Sequence, residues 1–551
     1  MPLEAVSSRR CVLEGKLQPG TLIYDTITGK IAEVYAGEVL SDHDPRLQLV
    51  SSYTNYSPYL LLPGLVDTHV HLNEPGRTEW EGFETGTKAA SSGGVTTVVD
   101  MPLNAIPPTT TIDNFNIKLK AAENQLWCDI AFWGGIIPGN LKHLKPLVRA
   151  GVRGFKGFLI ESGVDEFPAV DKAYVEQVFE ELQNEKTVVM FHAELQKEEH
   201  DQSNNNLNCL HSSGSSVSDD IGNSLSAVKS PVEQGLSLSR ILSSSEPQCG
   251  EIHSLAHNLN HHDDDHISFE SPLDLAKEQD TLLAEVNPRE YNSFLMSRPD
   301  QFEKDALKLV ISVMKKQLEK TGKTCLVHIV HLASEQCLSL LQKAQTKYNL
   351  PITAETCFHY LSIASENIPD GKTYFKCCPP IRKEQNRLAL WGGLRENIIT
   401  SVVSDHSPCT PNLKNLDKGD FFDSWGGIAS VGLGLPLMYT FGSKSLNPPI
   451  SFVEIVKWCC ENTSIQVGLQ DTKGFLRKSY DADFIVFDDT REYKIHNNAT
   501  YFKNKLTAYD DFKVEGCVLQ TFIRGSLVFD YTAGGHSKKP LGKMLLEPRT
   551  R

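Results

Sequence analysis

Apolar and polar positions alternate over short runs at both ends of the chain. Runs of this kind predict β-strands, one for each run, and the Gly, Asp and Pro residues between them predict turns. The clearest runs are 20–25, 31–35, 480–489 and 519–529. We expect the two ends, residues 1–62 and 469–551, to form one small β-sandwich.

The long middle of the chain alternates between strand and helix patterns. A helix is predicted over 79–92 and a buried strand over 95–101, and the same order returns at 301–321 and 324–332. Such alternation is typical of parallel strands covered by helices. Because of the length of this region, residues 63–468, we expect an α/β fold of the (β/α)8 TIM-barrel type rather than an open sheet.

One stretch, residues 200–285, breaks this alternation. It is rich in Ser, Asn, Asp and His, and it has no aromatic residue between Asp201 and Ser268. Such a composition predicts a polar surface insertion that is largely disordered. The His- and Asp-rich run 253–266 inside it is expected to be a solvated loop, since no helix or strand would fix the geometry of a metal site there.

Composition and charge limit the classes of partner. The chain has 551 residues, of which 40% are hydrophobic and 22% charged, so it can bury a substantial core. Its formal net charge of −15 disfavours nucleic acids and anionic membranes, because both are negatively charged. We find no apolar run that would span a membrane and expect a small-molecule substrate.

The cysteines and the chain ends bear on the compartment. Thirteen cysteines, an odd number without C-x-x-C spacing, predict reduced thiols in an intracellular protein. The first residues do not resemble a secretory signal, and the final residues do not form a Ser-Lys-Leu peroxisomal signal. We expect the cytoplasm, with the peroxisome and the mitochondrion as alternatives.

The clearest chemical motif is Asp67-Thr-His-Val-His, which follows the apolar run 60–66. Side chains alternate along a strand, so His69 and His71 would project from one face about 7 Å apart. Two imidazoles placed in this way can bind one metal ion. The motif alone leaves open that they are ordinary histidines at the mouth of a barrel.

Further polar residues stand at the ends of later candidate strands, where barrel enzymes place their catalytic groups. They are Lys156, His192, His331 and Asp405. A lysine between Phe155 and Phe158 would be costly to bury unless it is neutralised. His328 and His331 are three positions apart in one strand pattern, so they face opposite sides and at most one of them is a ligand.

Four histidines, one lysine and one aspartate in this order resemble the amidohydrolase superfamily. Within it, two long motifs are similar to the allantoinase family. They are Gly64-Leu-Val-Asp-Thr-His-Val-His-Leu-Asn-Glu-Pro-Gly with its continuation to residue 90, and Asp100-Met-Pro-Leu-Asn-Ala-Ile-Pro-Pro-Thr. The resemblance covers residues 10–195 and 286–530.

This resemblance implies a site for two divalent metal ions, zinc being expected, with iron, cobalt or manganese also compatible. Lys156, carboxylated by CO2, would bridge the two ions. One ion would also be held by His69, His71 and Asp405, and the other by His192 and His331. Two cations lower the pKa of a shared water and polarise a carbonyl. Asp405 would accept the proton of the water and deliver it to the leaving nitrogen.

The reaction implied is hydrolysis of the hydantoin ring of (S)-allantoin to allantoate, in purine breakdown, by a chain that family resemblance predicts to be a homotetramer. Dihydroorotases usually carry an arginine for the substrate carboxylate where this chain has Asn73, and an asparagine where it has Leu103. Dihydropyrimidinases lack the run 73–77. These two activities remain as alternatives, as does a non-catalytic barrel scaffold, which metal content would distinguish.

Neutral polar residues are the candidate substrate contacts, because ureido and carbonyl groups need neutral donors and acceptors. They are Asn73, Asn104, His359 and Ser407. His406 is expected to face away from Asp405 and to shape the pocket or bind the substrate rather than a metal ion. Glu74 and Arg77 are expected to form a structural pair. Gly157 stands where a cysteine is usual beside the bridging lysine, so reduced activity is a further possibility.

Overall fold

The computed structural model describes residues 2–196 and 286–550. The predicted insertion at 200–285 lies outside these residues, as does its His- and Asp-rich run. In the described part of the chain, no helix is both long and apolar enough to cross a membrane.

The strands of the described residues fall into a terminal group and a central group. In chain order they are β1 (Leu3–Leu13), β2 (Lys16–Asp25), β3 (Lys30–Ala36), β4 (Val50–Asn55), β5 (Leu60–Pro63), β6 (Leu65–Val70), β7 (Val95–Asp100), β8 (Asp129–Phe132), β9 (Gly134–Gly135), β10 (Phe155–Phe158), β11 (Val188–His192), β12 (Leu326–Ile329), β13 (Ile352–Cys357), β14 (Ser401–Val403), β15 (Phe484–Lys494), β16 (Lys513–Ile523), β17 (Ser526–Asp530) and β18 (Gly535–His536).

Most helices of the described residues lie between the central strands. They are α1 (Phe83–Ser92), α2 (Ile112–Ala122), α3 (Leu141–Arg149), α4 (Lys172–Leu182), α5 (Tyr291–Ser297), α6 (Asp300–Thr321), α7 (Leu338–Thr346), α8 (Phe358–Ser362), α9 (Glu384–Arg395), α10 (Gly434–Ser445), α11 (Phe452–Val456) and α12 (Asn462–Gln466). The last two are joined by a π-helical turn, Lys457–Glu461.

The central strands form a closed parallel barrel. Hydrogen bonds join β6 to β7 and β7 to β8, and they join β9, β10, β11, β12, β13 and β14 in sequence order. Every pair is parallel. β8 and β9 are one strand interrupted at Trp133, and a parallel bridge between Val70 and His406 closes the ring. Counted in this way, the barrel has eight strands in the described chain, which confirms the predicted (β/α)8 fold.

The two chain ends pair in one nine-stranded sheet, so they form the single module that was predicted as a β-sandwich. Its order is β18-β17-β16-β15-β5-β1-β2-β3, with β4 paired to β1, so β5 and β15 join the N-terminal and C-terminal halves. A small core of its own, including Leu22, Tyr24 and Phe484, packs within this module. The domain boundaries at residues 62 and 469 stay predictions.

Two predicted elements differ from the structure. The helix predicted over 79–92 begins only at Phe83, because Gly82 has a φ of 109° and the Glu74 carboxylate accepts a hydrogen bond from the Phe83 amide. The run 519–529 is a hairpin rather than one strand, since Arg524 and Gly525 both have positive φ values and turn the chain.

A buried ionic cluster ties the barrel to the terminal sheet. Lys473 Nζ lies 2.5 Å from Asp129, 2.8 Å from Asp481 and 2.7 Å from Asp483, and Arg524 pairs with Asp129 as well. We refer to these five residues as the Lys473 cluster. Asp129 is the first residue of β8, so the cluster lies at the end of the barrel opposite the carboxyl ends of its strands.

Candidate metal centre

The six predicted ligands meet at the carboxyl ends of the barrel strands, and all six side chains are buried. His69 Nε2 and His71 Nε2 lie 3.2 Å and 3.7 Å from the same oxygen of Asp405. His192 Nδ1 lies 3.0 Å from His331 Nε2, and the His331 ring is 5.3 Å from that of His69. The structure therefore brings together residues that are up to 336 positions apart in the chain, counted from His69 to Asp405.

Two buried carboxylates orient two of these imidazoles. His69 Nδ1 lies 2.5 Å from Glu355, and His192 Nε2 lies 2.7 Å from Glu194. Because an ionised carboxylate only accepts hydrogen bonds, each ring donates with that nitrogen. The other nitrogen, Nε2 of His69 or Nδ1 of His192, then carries a lone pair directed into the site. Pairs of this kind typically orient metal-binding histidines.

Both carboxylates are held in the ionised form. Burial raises the pKa of Glu355, but the neighbouring His69 and His328 outweigh it and lower that pKa to about 2. Burial likewise opposes ionisation of Glu194, while Arg298 and His192 lower its pKa to about 2. Sequence reasoning missed these two acceptors.

The ring nitrogens fit a bound cation. Nε2 of His69 and Nδ1 of His331 are buried without a hydrogen-bond partner among the described residues. Burial lowers the pKa of His69 to about 4 and that of His71 and His331 well below the usual range, so the rings are neutral and their lone pairs are free. Ligand atoms of His69, His71 and Asp405 all lie within 4.8 Å of one another. Neutral imidazoles and a carboxylate are the usual ligands of divalent zinc.

Lys156 lies in β10 with its Nζ 4.9 Å from the centre of the Phe158 ring. Burial is the largest influence on this amine and lowers its pKa to about 8, although Asp405 and Glu355 act in the opposite direction. A lowered pKa increases the fraction of neutral amine, the form that reacts with CO2. At the neighbouring Gly157, an added Cβ would lie 3.5 Å from its nearest atoms, so the backbone leaves room for a side chain.

The candidate substrate contacts surround this centre. Asn104 Nδ2 lies 3.5 Å from His71 Nδ1, and the Ser407 hydroxyl donates to the backbone carbonyl of Asp405. Asn73 Nδ2 lies 3.4 Å from the carbonyl oxygen of Pro408, while its own Oδ1 is buried without a partner in the described structure. His359 is fully buried, and neither of its ring nitrogens has a partner there.

Four of the site residues have an unusual backbone conformation. Positive φ values occur at Asn73 (63°), Asn104 (65°), His331 (38°) and Asp405 (43°). Non-glycine residues rarely adopt this region, and such residues concentrate at functional sites. At His331 and Asp405 the conformation turns the chain just beyond β12 and β14, at the mouth of the barrel. The positive φ values of the two asparagines could have been predicted from the sequence, because asparagine tolerates this region better than most non-glycine residues.

Two histidines near the site have other partners. His328 contacts Glu355 through Nε2 at 3.0 Å and Thr353 through Nδ1 at 2.7 Å, so its ring is turned away from the centre that His331 joins. His406 accepts hydrogen bonds from the amides of Ser430 and Val431 and holds that segment beside the pocket. Both arrangements agree with the expectation that neither residue is a metal ligand.

Glu74 and Arg77 hold the loop before α1, although not as the expected pair. Arg77 pairs with Glu166 and donates to the carbonyl of Asn104 at 2.8 Å. Glu74 accepts from the Phe83 amide at 2.8 Å. The predicted contact between them is wrong because each side chain has other partners, but both serve the structural role that was expected.

Comparison with known proteins identifies the family. The model of the amidohydrolase family matches residues 60–528. An allantoinase of Saccharomyces cerevisiae is 50% identical over 550 residues, covering 100% of each chain. A mitochondrial allantoinase of Aquarana catesbeiana is 37% identical, covering 81% of this chain and 76% of its own, and an allantoinase of Arabidopsis thaliana is 31% identical, covering 98% and 90%.

Solved structures are similar in fold. An L-hydantoinase (dihydropyrimidinase) from Arthrobacter aurescens has a TM-score of 0.75 at 21% identity, covering 98% of this chain and 99% of its own. A dihydropyrimidinase from Brevibacillus agri has a TM-score of 0.73 at 18% identity, covering 99% of each chain. The sequence motifs, the barrel and these relatives agree: the chain belongs to the amidohydrolase family and, within it, to the allantoinases.

Proposed function

We propose that the chain hydrolyses the hydantoin ring amide of allantoin to give allantoate, as a metal-dependent step of purine breakdown. One observation carries the proposal: four buried imidazoles and Asp405 converge, and His69 and His331 each keep a ring nitrogen without a partner among the described residues, in a chain 50% identical over its whole length to an allantoinase.

The site would hold two divalent ions, with zinc the best match to its donors. His69, His71 and Asp405 would bind one ion, His192 and His331 the other, and carboxylated Lys156 both. When bound, such a pair activates water and polarises the ring carbonyl. Lysine carboxylation supplies the anionic oxygens that the buried lysine itself lacks.

Asp405 would carry the proton. The water gives its proton to the Asp405 carboxylate as its oxygen bonds to the ring carbonyl carbon, and the ring C–N bond then breaks while Asp405 returns that proton to the leaving nitrogen. Ser407 donates to the backbone carbonyl of Asp405 at 3.0 Å and so helps to hold this residue in place.

The substrate contacts favour a neutral ring. Asn73, Asn104, His359 and Ser407 offer amide, imidazole and hydroxyl groups, which suit the ureido and carbonyl groups of allantoin. The Oδ1 of Asn73, which has no partner in the described part of the chain, is a buried acceptor for a substrate N–H group. A dihydroorotate carboxylate would find an amide at this position instead of a cation, which disfavours that substrate.

The test measures metal content and hydrolysis rates of allantoin, dihydroorotate and dihydrouracil on one zinc-loaded preparation, beside the variant Lys156→Ala. We expect two ions per chain and turnover of allantoin alone, with the variant unable to hold both ions. Preference for another ring would be compatible with the proposed metal site but would refute allantoin as the substrate. A protein without metal or turnover would instead support the scaffold alternative.

We also propose that the protein is a homotetramer in the cytoplasm, built from the sandwich and barrel domains with boundaries near residues 62 and 469. Light scattering of the purified chain tests the first point and microscopy of a fluorescent fusion the second. Limited proteolysis followed by mass spectrometry tests the boundaries, since cleavage concentrates in exposed connections.

A further inference from the structure

A second group of possible ligands lies beside the proposed metal centre. Cys357, His359 and Asp405 each offer one atom, and these three atoms lie within 4.8 Å of one another. All three side chains are buried. Cys357 is the last residue of β13, and α8 begins directly after it, which brings His359 back toward the thiol.

The His359 ring is an independent sign that this space accepts a ligand. It is fully buried, and neither ring nitrogen has a hydrogen-bond partner among the described residues. Buried polar groups are nearly always hydrogen-bonded, so an imidazole with two unpartnered nitrogens requires an explanation. One nitrogen directed at a substrate would still leave the other unused.

We propose that Cys357, His359 and Asp405 form an additional, inhibitory site for a soft divalent cation such as Cd²⁺ or excess Zn²⁺. A thiolate, an imidazole and a carboxylate together suit zinc and its heavier relative, because thiolates select softer metals. The site differs from the proposed catalytic centre in its sulfur and in His359, and it shares only Asp405.

Sharing Asp405 gives the site its effect. A cation bound there would engage the carboxylate that is proposed to carry the proton. Repulsion from cations already in the catalytic centre should make the additional site the weaker one. Inhibition would therefore appear only when the metal exceeds the amount that fills the catalytic centre. This effect on turnover rests on the proposed function, whereas binding of the cation does not.

The experiment uses the full chain with Cys209, Cys249 and Cys378 replaced by serine, which removes the half-exposed thiol and the two thiols outside the described residues. The metal-loaded protein is titrated with Cd²⁺. Total bound metal, thiolate-to-cadmium charge-transfer absorption and allantoin turnover are followed together. We expect one further equivalent of metal, a new absorption band and a parallel fall in turnover.

The variant Cys357→Ser should lose the absorption band and need at least about tenfold more Cd²⁺ for half-inhibition, since losing even an outer partner weakens metal binding about 10- to 100-fold. The control Cys517→Ser removes a buried thiol in β16 of the terminal sheet and should behave as the parent. An unchanged half-inhibitory concentration in Cys357→Ser would overturn the proposal.

A second variant covers the case in which Cys357→Ser does not fold. In His359→Asn the thiol remains, and the absorption band should require at least about tenfold more Cd²⁺. A band that appears at the same Cd²⁺ concentration as in the parent would also overturn the proposal. If the band depends on both residues but allantoin is not hydrolysed, the additional site stands and only the proposed function fails.

Discussion

Two of the buried clusters of metal-type ligands in the described chain, the Lys473 cluster and the candidate metal centre, differ in what fills them. In the Lys473 cluster three aspartates surround an ammonium group at 2.5–2.8 Å, and Arg524 adds a second cation. At the candidate metal centre His69 and His331 each keep a buried nitrogen without a partner among the described residues. The first cluster is complete with its own cations, whereas the second is complete only with a ligand.

The two buried lysines show the same contrast. Three aspartates raise the pKa of Lys473 against the opposing effect of burial, whereas burial lowers the pKa of Lys156 to about 8. Lys473 is therefore fixed as an ammonium ion, and Lys156 is more readily neutral. The comparison teaches that the partners of the ligand atoms, rather than the residue types, separate a metal site from an internal ion cluster.

The largest effect is expected from removing the proton carrier. Asp405→Asn should lower turnover of allantoin about 10²- to 10⁴-fold, since the amide cannot accept the proton of the water. The matched change in the other cluster, Asp483→Asn, should lower thermal stability while folded molecules keep their turnover. Rates and melting curves of both variants test this, and an Asp405→Asn protein as fast as the parent would contradict the assigned role.

The next largest effect is expected from removing the ammonium group at the centre of the Lys473 cluster. Lys473→Met should lower the free energy of unfolding by about 3–5 kcal/mol, because it leaves buried carboxylates without their ammonium partner. Denaturant unfolding measures this, and the metal content of the folded fraction should not change. Lys478→Met, which breaks an exposed pair with Glu33, should cost no more than about 1 kcal/mol. Equal losses of unfolding free energy in the two variants would show that the Lys473 cluster stabilises the fold no more than an exposed ion pair does.

A smaller effect is expected from the carboxylate that orients His69. Glu355 accepts from His69 and His328, and the amide in Glu355→Gln has only one acceptor oxygen for these two donors. Metal affinity, measured by competition with a chelator, should fall about 10- to 100-fold. Glu176→Gln, at a surface pair with Lys316, is the control. Retention of the parent's affinity would show that Glu355 does not position the ligand.

The smallest effect is expected at Gly157. Its φ is not positive, and an added Cβ would make only ordinary contacts at 3.5 Å. Gly157→Ala should raise the free energy of unfolding by about 0.4–1 kcal/mol, because alanine restricts the unfolded chain. Turnover should not change, so the absence of the usual cysteine would not reduce activity. A marked loss of turnover would mean that Lys156 needs the space beside it.

Much of the fold and of the candidate site could be predicted from local patterns. The strand and helix alternation predicted the barrel, and His-x-His with four later strand ends predicted the residues that meet at its mouth. Glu355 could not be predicted, because it lies 286 positions from His69 and only the closed barrel brings them together. The same holds for the Lys473 cluster, whose members come from β8, from the residues before β15 and from the turn between β16 and β17.

Local predictions failed where a distant contact or a backbone turn decided the outcome. The start of α1 depends on Gly82 and on the Glu74 carboxylate, neither of which alters the apolar pattern of residues 79–92. The hairpin in 519–529 turns at Arg524 and Gly525, which both have positive φ values. Arginine does not usually indicate a turn, but Gly525 does, so this turn could have been predicted from the sequence.

The way in which the chain ends close the structure also bears on its synthesis. β5 pairs with β15, Asp129 pairs with Lys473, and Ile130 exchanges backbone hydrogen bonds with Lys543 and Leu545, so early strands have partners that lie several hundred positions later in the chain. Domains usually fold as they emerge from the ribosome, the N-terminal part first. Here the first barrel strands depend on partners that are translated much later, so the N-terminal part of this chain cannot complete its pairing as it emerges.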